Sequence, residues 1–258
     1  MKKLLAAGIA FSIAIISAQS QVLLSSGLKT ALSSGATFQE NFDSLASSSG
    51  TNTTVPWSNN VTLKGWHASS KAKGNYKSYR VSGGELNNGW IYSFGTNGAK
   101  ELSDRAFGSI ASGTPEVIAF GVRFKNDTEK TMTKILVSYT GEQWRNSTDG
   151  GSDQTLKFSF RSGSSSLTNA EPGIAANWTP VKALDFTRMH YGGEAAPLDG
   201  NAKENRKEFS EVELPGVTLK PGDELFLRWE DVDETGQSDH GLAVDDLKVV
   251  FSESKASE

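Results

Sequence analysis

Residues 224–252 read ELFLRWEDVDETGQSDHGLAVDDLKVVFS, and this stretch decides the fold class. In its opening residues Leu225, Leu227 and Trp229 alternate with Phe226, Arg228 and Glu230. A period of two belongs to a strand, whose successive side chains point to opposite faces of a sheet. The closing residues do the same, with Leu247, Val249 and Phe251 in phase. Pro221-Gly222-Asp223 supplies a turn ahead of the first run, since proline presets φ and glycine tolerates a positive one.

The same pattern recurs towards the N-terminus. Clear strands are expected at Glu116–Phe124, Lys134–Thr140 and Thr155–Arg161, besides Glu224–Asp231 and Leu242–Ser252. Weaker ones are expected at Thr37–Phe42, Gly65–Ala68, Tyr76–Val81, Trp90–Phe94, Val181–Phe186 and Phe209–Leu214. Short β-branched and aromatic runs punctuated by Gly, Pro, Asn and Ser predict an all-β chain, a two-sheet antiparallel jelly-roll sandwich.

Ahead of it, Met1-Lys2-Lys3 precedes an uncharged run from Leu4 to Ile16, and Ala18-Gln19-Ser20 follows. A positive start, a short apolar stretch and small residues at the exit read as a secretory signal peptide that is cleaved off. The expected organisation is a signal peptide over 1–20, a flexible N-terminal segment over 21–36, the sandwich over 37–252 and a polar tail over 253–258. Export implies a secreted, extracellular or periplasmic protein. No later segment reads as a membrane span.

Removing the leader takes away two lysines and no acid, so a formal net charge of −4 becomes more negative still. That balance argues against nucleic acid or anionic membrane as a partner. Lys71, Lys73, Lys77 and Arg80, interleaved with Tyr76 and Tyr79, accordingly read as a solvated strand and loop. The chain has no cysteine, which excludes thiol nucleophiles, thiolate metal sites and disulfide staples.

The densest acidic feature is Glu230-Asp231-Val232-Asp233-Glu234-Thr235-Gly236, followed by Asp239, His240, Asp245 and Asp246. Alternating oxygen ligands around a glycine turn suit Ca²⁺, and the spacing from Asp231 follows the start of an EF-hand loop. The twelfth position is Leu242 where a bidentate Glu is required, so a true EF-hand is refused. Asp231, Asp233, Asp239 and Asp245 are the candidate ligands of a structural calcium ion, with a solvated acidic hairpin as the alternative. Asp245 can equally be a hydrogen-bonding staple for the last strand, paired with backbone amides, Arg228 or a cation.

Phe42-Asp43-Ser44-Leu45, Gly65-Trp66, Gly141-Glu142-Gln143-Trp144-Arg145 and the Asp239–Val249 ending together resemble a jelly-roll domain of exported bacterial proteins. Such a domain is similar to laminin-G-like and carbohydrate-binding β-sandwiches. The resemblance covers about Thr37 to Ser252 and implies the fold. It implies little about activity, because a shared fold does not transfer function.

Glu142 and Arg145 flank Trp144 at a strand end, an arrangement that can stack an indole on a sugar ring while charged groups bind hydroxyls. The alternative is a core tryptophan beside an ion pair, and Trp57, Trp66, Trp90 and Trp178 share that ambiguity, whereas Trp229 is core. The long patternless stretch Thr187–Glu208 carries Arg188, His190, Tyr191 and Glu194 and is expected to form a binding rim. His190 and Tyr191 complete the candidate ligand set. The primary expectation is a secreted, non-catalytic domain whose partner is a glycan or cell-surface polymer. A structural or adhesive matrix protein and a secreted polysaccharide lyase or glycoside hydrolase are the alternatives. No compact carboxylate pattern or Gly-x-Ser-x-Gly elbow favours catalysis.

Calcium at the acidic hairpin is expected to raise the melting temperature over that in EDTA, by about 2.7 kcal/mol of linkage at a hundredfold excess over Kd. Asp233→Ala should erase the rise, and identical melting in both buffers would retire the ion.

Overall fold

The computed structural model describes residues 21–27, 35–47, 53–96, 104–148, 153–164, 169–190, 192–234 and 239–253. The expected leader over 1–20 lies outside them. The strands run β1 (Val22–Leu23), β2 (Ala36–Glu40), β3 (Thr53–Pro56), β4 (Trp66–Ser70), β5 (Gly74–Asn75) and β6 (Ser78–Ser82). Next come β7 (Trp90–Phe94), β8 (Ala106–Ile110), β9 (Val117–Lys125), β10 (Lys134–Asn146), β11 (Thr155–Gly163) and β12 (Thr179–Pro180). Finally there are β13 (Phe186–Thr187), β14 (Ala196–Pro197), β15 (Arg206–Glu213), β16 (Glu224–Val232) and β17 (Gly241–Ser252). Among the described residues helix is confined to single short turns at Leu24–Gly27, Lys182–Leu184 and Lys203–Asn205.

Two sheets result. The first, of eight strands, has the order β12-β11-β16-β9-β4-β5, with β1 added to β9 and β13 to β11. The second, of nine, has the order β14-β10-β17-β8-β7-β6-β3, with β15 added to β10 and β2 to β17. The long strands β9, β10, β11, β15, β16 and β17 cross from one sheet to the other in turn, which is how a jelly roll is wound. Pairing is antiparallel except for β1 on β9 and β6 on β7.

The alternation in 224–252 is what closes the sandwich. Leu225, Leu227 and Trp229 enter the core between the sheets, and Trp66 and Phe120 stack on Trp229 at 6.0 and 6.2 Å. Phe226 and Arg228 face the other way and are buried too, because residues 170–178 cover them. Trp178 packs edge-on against Phe226, and the Arg228 guanidinium lies 4.0 Å from the Trp178 ring centre. Arg228 also donates to Ser159 Oγ and to the carbonyls of Glu171 and Ile174, so it is no partner for Asp245.

Three expectations need revision. Val181–Phe186 is a turn rather than a strand: Asp185 accepts the Phe158 N–H at 2.8 Å and Tyr139 donates to the Leu184 carbonyl, so its polar groups are satisfied outside a ladder. Strand β8, Ala-Phe-Gly-Ser-Ile, escapes the pattern because Gly108 dilutes it. A β-carbon there would lie 2.2 Å from the Leu242 carbonyl oxygen, so the close approach of β17 excludes any side chain. Within the segment 21–36, expected to be flexible, Val22 and Leu24 are buried, and Arg123 donates to Gln21 Oε1 at 2.8 Å.

Trp229→Ala should cost about 3–5 kcal/mol, as for a large aromatic removed from a rigid core. Urea unfolding checks this, and a loss under about 1 kcal/mol would mean the site can collapse around the gap.

Candidate functional site

Strand β10 organises one region of the molecule through irregularities in its neighbours. Opposite Val137–Tyr139, β15 carries an extra residue, and opposite Ser138–Thr140 so does β17. Glu211 and Asp246 both adopt φ of 50° at these places, the left-handed conformation in which a bulge absorbs an extra residue. The bulge in β17 changes the phase of the strand. Leu247, Val249 and Phe251 point into the core, as do Leu242 and Val244, while Ala243 and Asp245 point to the outer face of the nine-stranded sheet.

That outer face carries a second apolar cluster of Leu86, Tyr92, Phe94, Ala106, Ile110, Trp144 and Ala243, with Trp90 packed against it. One row crosses the sheet in register as Arg80, Tyr92, Gly108, Ala243, Glu142 and Arg206. Phe94 stacks between Tyr92 (4.9 Å) and Trp144 (6.2 Å).

Glu142, Trp144 and Arg145 do come together, but beneath a roof. Trp144 is 1% exposed. Its Nε1 donates to Glu142 Oε2 at 2.9 Å, and Leu198 N–H donates to its carbonyl. A β-carbon at Gly200 would sit 2.3 Å from the indole, so the 192–205 segment lies directly on the ring. Trp144 therefore presents no face to solvent. Arg145 is buried and donates to the Gly84 carbonyl at 3.0 Å. His190 is linked to this strand through its backbone N–H, which donates to Gln143 Oε1 at 2.8 Å. Tyr191 lies outside the described residues. The expected rim is thus largely a covering: Asn146 ties down the carbonyls of Gly192 and Glu194.

Buried with Trp144 are two carboxyl groups. Glu142 has no exposed surface and Asp245 is 2% exposed; among the described residues Glu142 Oε1 and Asp245 Oδ1 find no hydrogen-bond donor. Burial pushes Glu142 up to about 8, helped by the nearby charges of Asp104 and Asp246 and opposed by Trp144 Nε1 and Arg206. Burial likewise pushes Asp245 up to about 9, and Glu142, Asp246 and Asp104 add to it. Arg206 stands 3.9 Å from both Glu142 and Asp246. Chemically the pair holds protons at neutral pH.

The other three proposed calcium ligands lie apart from Asp245. Asp231 is wholly buried and accepts from Ser109 Oγ of the opposite sheet at 2.7 Å and from Gln154 Nε2 at 3.0 Å. Asp231 is thereby a bolt between the sheets, and burial raises it to about 6. Asp239 accepts the Glu234 N–H, and burial together with Asp231 and Asp233 raises it to about 8. Among the described residues no three His, Cys, Asp or Glu side chains are grouped to hold a metal ion.

The sequence reading missed the polar net at this end of the core. Gln143 Nε2 and Ser147 N–H meet His240 Nδ1 at 3.1 Å, Arg188 meets His240 Nε2 at 3.1 Å, and His240 N–H donates to Gln154 Oε1. The phase of Gln143 with Ile135, Val137 and Tyr139 was the available signal. Trp90 was also undervalued. Five of the six tryptophans are buried, and Trp90 is partly exposed, its Nε1 donating to the Ser78 carbonyl at 2.9 Å.

No family of known proteins and no curated protein matches this sequence. Among solved structures it is similar to the enzymatically active domain of bacteriophage CBA120 tailspike protein 4. The identity is 8% and the TM-score 0.34, over 73% of this chain but 19% of that one. The K1 cleaved adhesin domain of Lys-gingipain from Porphyromonas gingivalis W83 aligns at 12% identity and TM-score 0.34, over 85% of this chain and 100% of that one. The CBM22-1 xylan-binding domain from Paenibacillus barcinonensis Xyn10C aligns at 11% and 0.27, over 74% and 94%. Likenesses this distant identify no family.

The buried carboxyl pair makes stability pH-dependent. Glu142 and Asp245 bind protons more tightly folded than at their ordinary values of 4.5 and 3.8. Their stabilising contribution is therefore complete below about pH 4 and lost as the pH climbs through 8 and 9. Melting temperature should fall between pH 5 and pH 9. Glu142→Gln and Asp245→Asn should each flatten the fall, and unchanged slopes in both variants would refute the assignment.

Proposed function

We propose that the chain is an exported, non-catalytic domain that binds a glycan, with Trp90 as the stacking residue. The observation that carries the reading is the partial exposure of Trp90, at the end of an aromatic outer face whose other rings are covered. A sugar ring presents an axial C–H face and equatorial hydroxyls, so it needs apolar area beside hydrogen-bonding groups. Around Trp90 stand Lys73, Arg80 and the exposed Asn88, whose Oδ1 accepts from Arg80 at 2.6 Å. The basic, apolar and small-residue signature of residues 1–20 supports export.

Two features favour binding over catalysis. Glycoside hydrolysis needs two carboxyl groups flanking an accessible bond, whereas Glu142 is closed to solvent and Asp245 nearly so. The partly exposed His190 has its nearest described tie through backbone rather than ring. A structural calcium ion remains part of the proposal, supported by the crowding of Asp239 against Asp231 and Asp233.

Glycan-array binding by the folded domain should fall about tenfold or more in Trp90→Ala, since one stacking contact and its buried area are lost. Trp144→Ala should instead lower stability by about 3–5 kcal/mol. Array binding that survives Trp90→Ala unchanged would remove this residue from the site.

A further inference from the structure

Resting on that reading, we propose that the glycan is acidic, a polymer carrying uronate carboxylates, and that Lys73 and Arg80 are the groups that select it. The Lys73 ammonium lies 5.2 Å and the Arg80 guanidinium carbon 5.6 Å from the centre of the Trp90 ring, and Tyr76 packs edge-on against the same ring at 5.3 Å. The two cations arrive from different elements, Lys73 from the β4–β5 turn and Arg80 from β6.

The convergence of both cations on one ring is the telling point. On the same turn Lys71 points elsewhere and pairs with Glu116 at 2.6 Å. Neither Lys73 nor Arg80 forms an ion pair with any described carboxylate; Arg80 bonds to Asn88 and the Tyr92 hydroxyl. In a chain with an excess of acids over bases, two unneutralised cations converging on the one accessible tryptophan mark a local reversal of sign. The row beginning at Arg80 runs through Glu142 to Arg206, and Asp104, Asp245 and Asp246 lie near Glu142 at that far end of the face.

The position of the cations discriminates between ligands. A neutral pyranose stacking on Trp90 offers the displaced ammonium only neutral hydroxyl acceptors. A sugar carboxylate leaves the cation beside the ring and pairs with it, and the guanidinium offers a planar carboxylate a charge-assisted hydrogen bond. Because the cations are solvent-exposed or partly so, the attraction is screened by salt.

The test uses the folded domain with three soluble probes: polygalacturonate, a neutral galactan and a single-stranded oligonucleotide. Polygalacturonate should bind most tightly, and its affinity should fall steeply between 50 and 500 mM salt, as screening shortens to about 4 Å. Arg80→Gln and Lys73→Gln should each weaken it about threefold to tenfold with melting temperature unchanged. Equal or tighter binding of galactan, still lost in Trp90→Ala, would overturn the acidic preference while sparing the stacking site. Preference for the oligonucleotide would overturn the glycan reading itself. Polygalacturonate binding unaffected by either cation variant would assign selection to another surface.

Discussion

Two bulges facing each other across one strand set the arrangement of everything on the outer face. By shifting the phase of β17 by one residue, the turn at Asp246 lets Leu247, Val249 and Phe251 stay in the core while Asp245 joins Glu142 outside it. An unbulged strand would keep Asp245 in phase with Val249 and force a carboxyl group between the sheets, where no cation waits for it. The bulge in β17 thus keeps this carboxyl group out of the apolar layer between the sheets and buries it beside Glu142 instead.

The sheets are covered on both sides, and that changes the meaning of the surface. Residues 170–178 close the outer face of the eight-stranded sheet over Phe226 and Arg228, and residues 192–205 close the nine-stranded sheet over Trp144. Polar side chains under these roofs need partners and mostly find backbone carbonyls. Arg228, Arg145 and Asn146 each hold down a loop in this way. What remains open to a ligand is the margin of the roof, which is where Trp90 emerges.

The fold was legible because its signal is local. Alternation in the second half of β17 follows from its one buried face, and in β16 it sorts the apolar core side from the side carrying Arg228 and Glu230; both strands form where the pattern places them. β8 was illegible because the close approach of β17 demands glycine, and Val181–Phe186 misled because an apolar run can satisfy its backbone through a turn as well as a ladder. The site was harder to read for a different reason. Gly141-Glu142-Gln143-Trp144-Arg145 stands out in the sequence as a candidate sugar platform, but sequence does not reveal what lies above a strand. Gly200, distant in the chain, is what covers Trp144. Trp90 offered no motif; its exposure depends on which loops stop short of it. The four aspartates grouped by spacing divide in space because Asp231 points between the sheets while Asp245 points to the outer face of the nine-stranded sheet.

The first long-range partner of the last strand is β2, laid antiparallel so that Ala36 faces Phe251 and Glu40 faces Leu247. Chain entry into β2 and chain exit from β17 therefore occur at the same end of their shared ladder. A force drawing those two points apart meets the hydrogen bonds one after another, from Phe251 inward. Under tension between those two points this pair opens like a zip rather than resisting in shear, and the sandwich yields at the seam where its second and last strands meet.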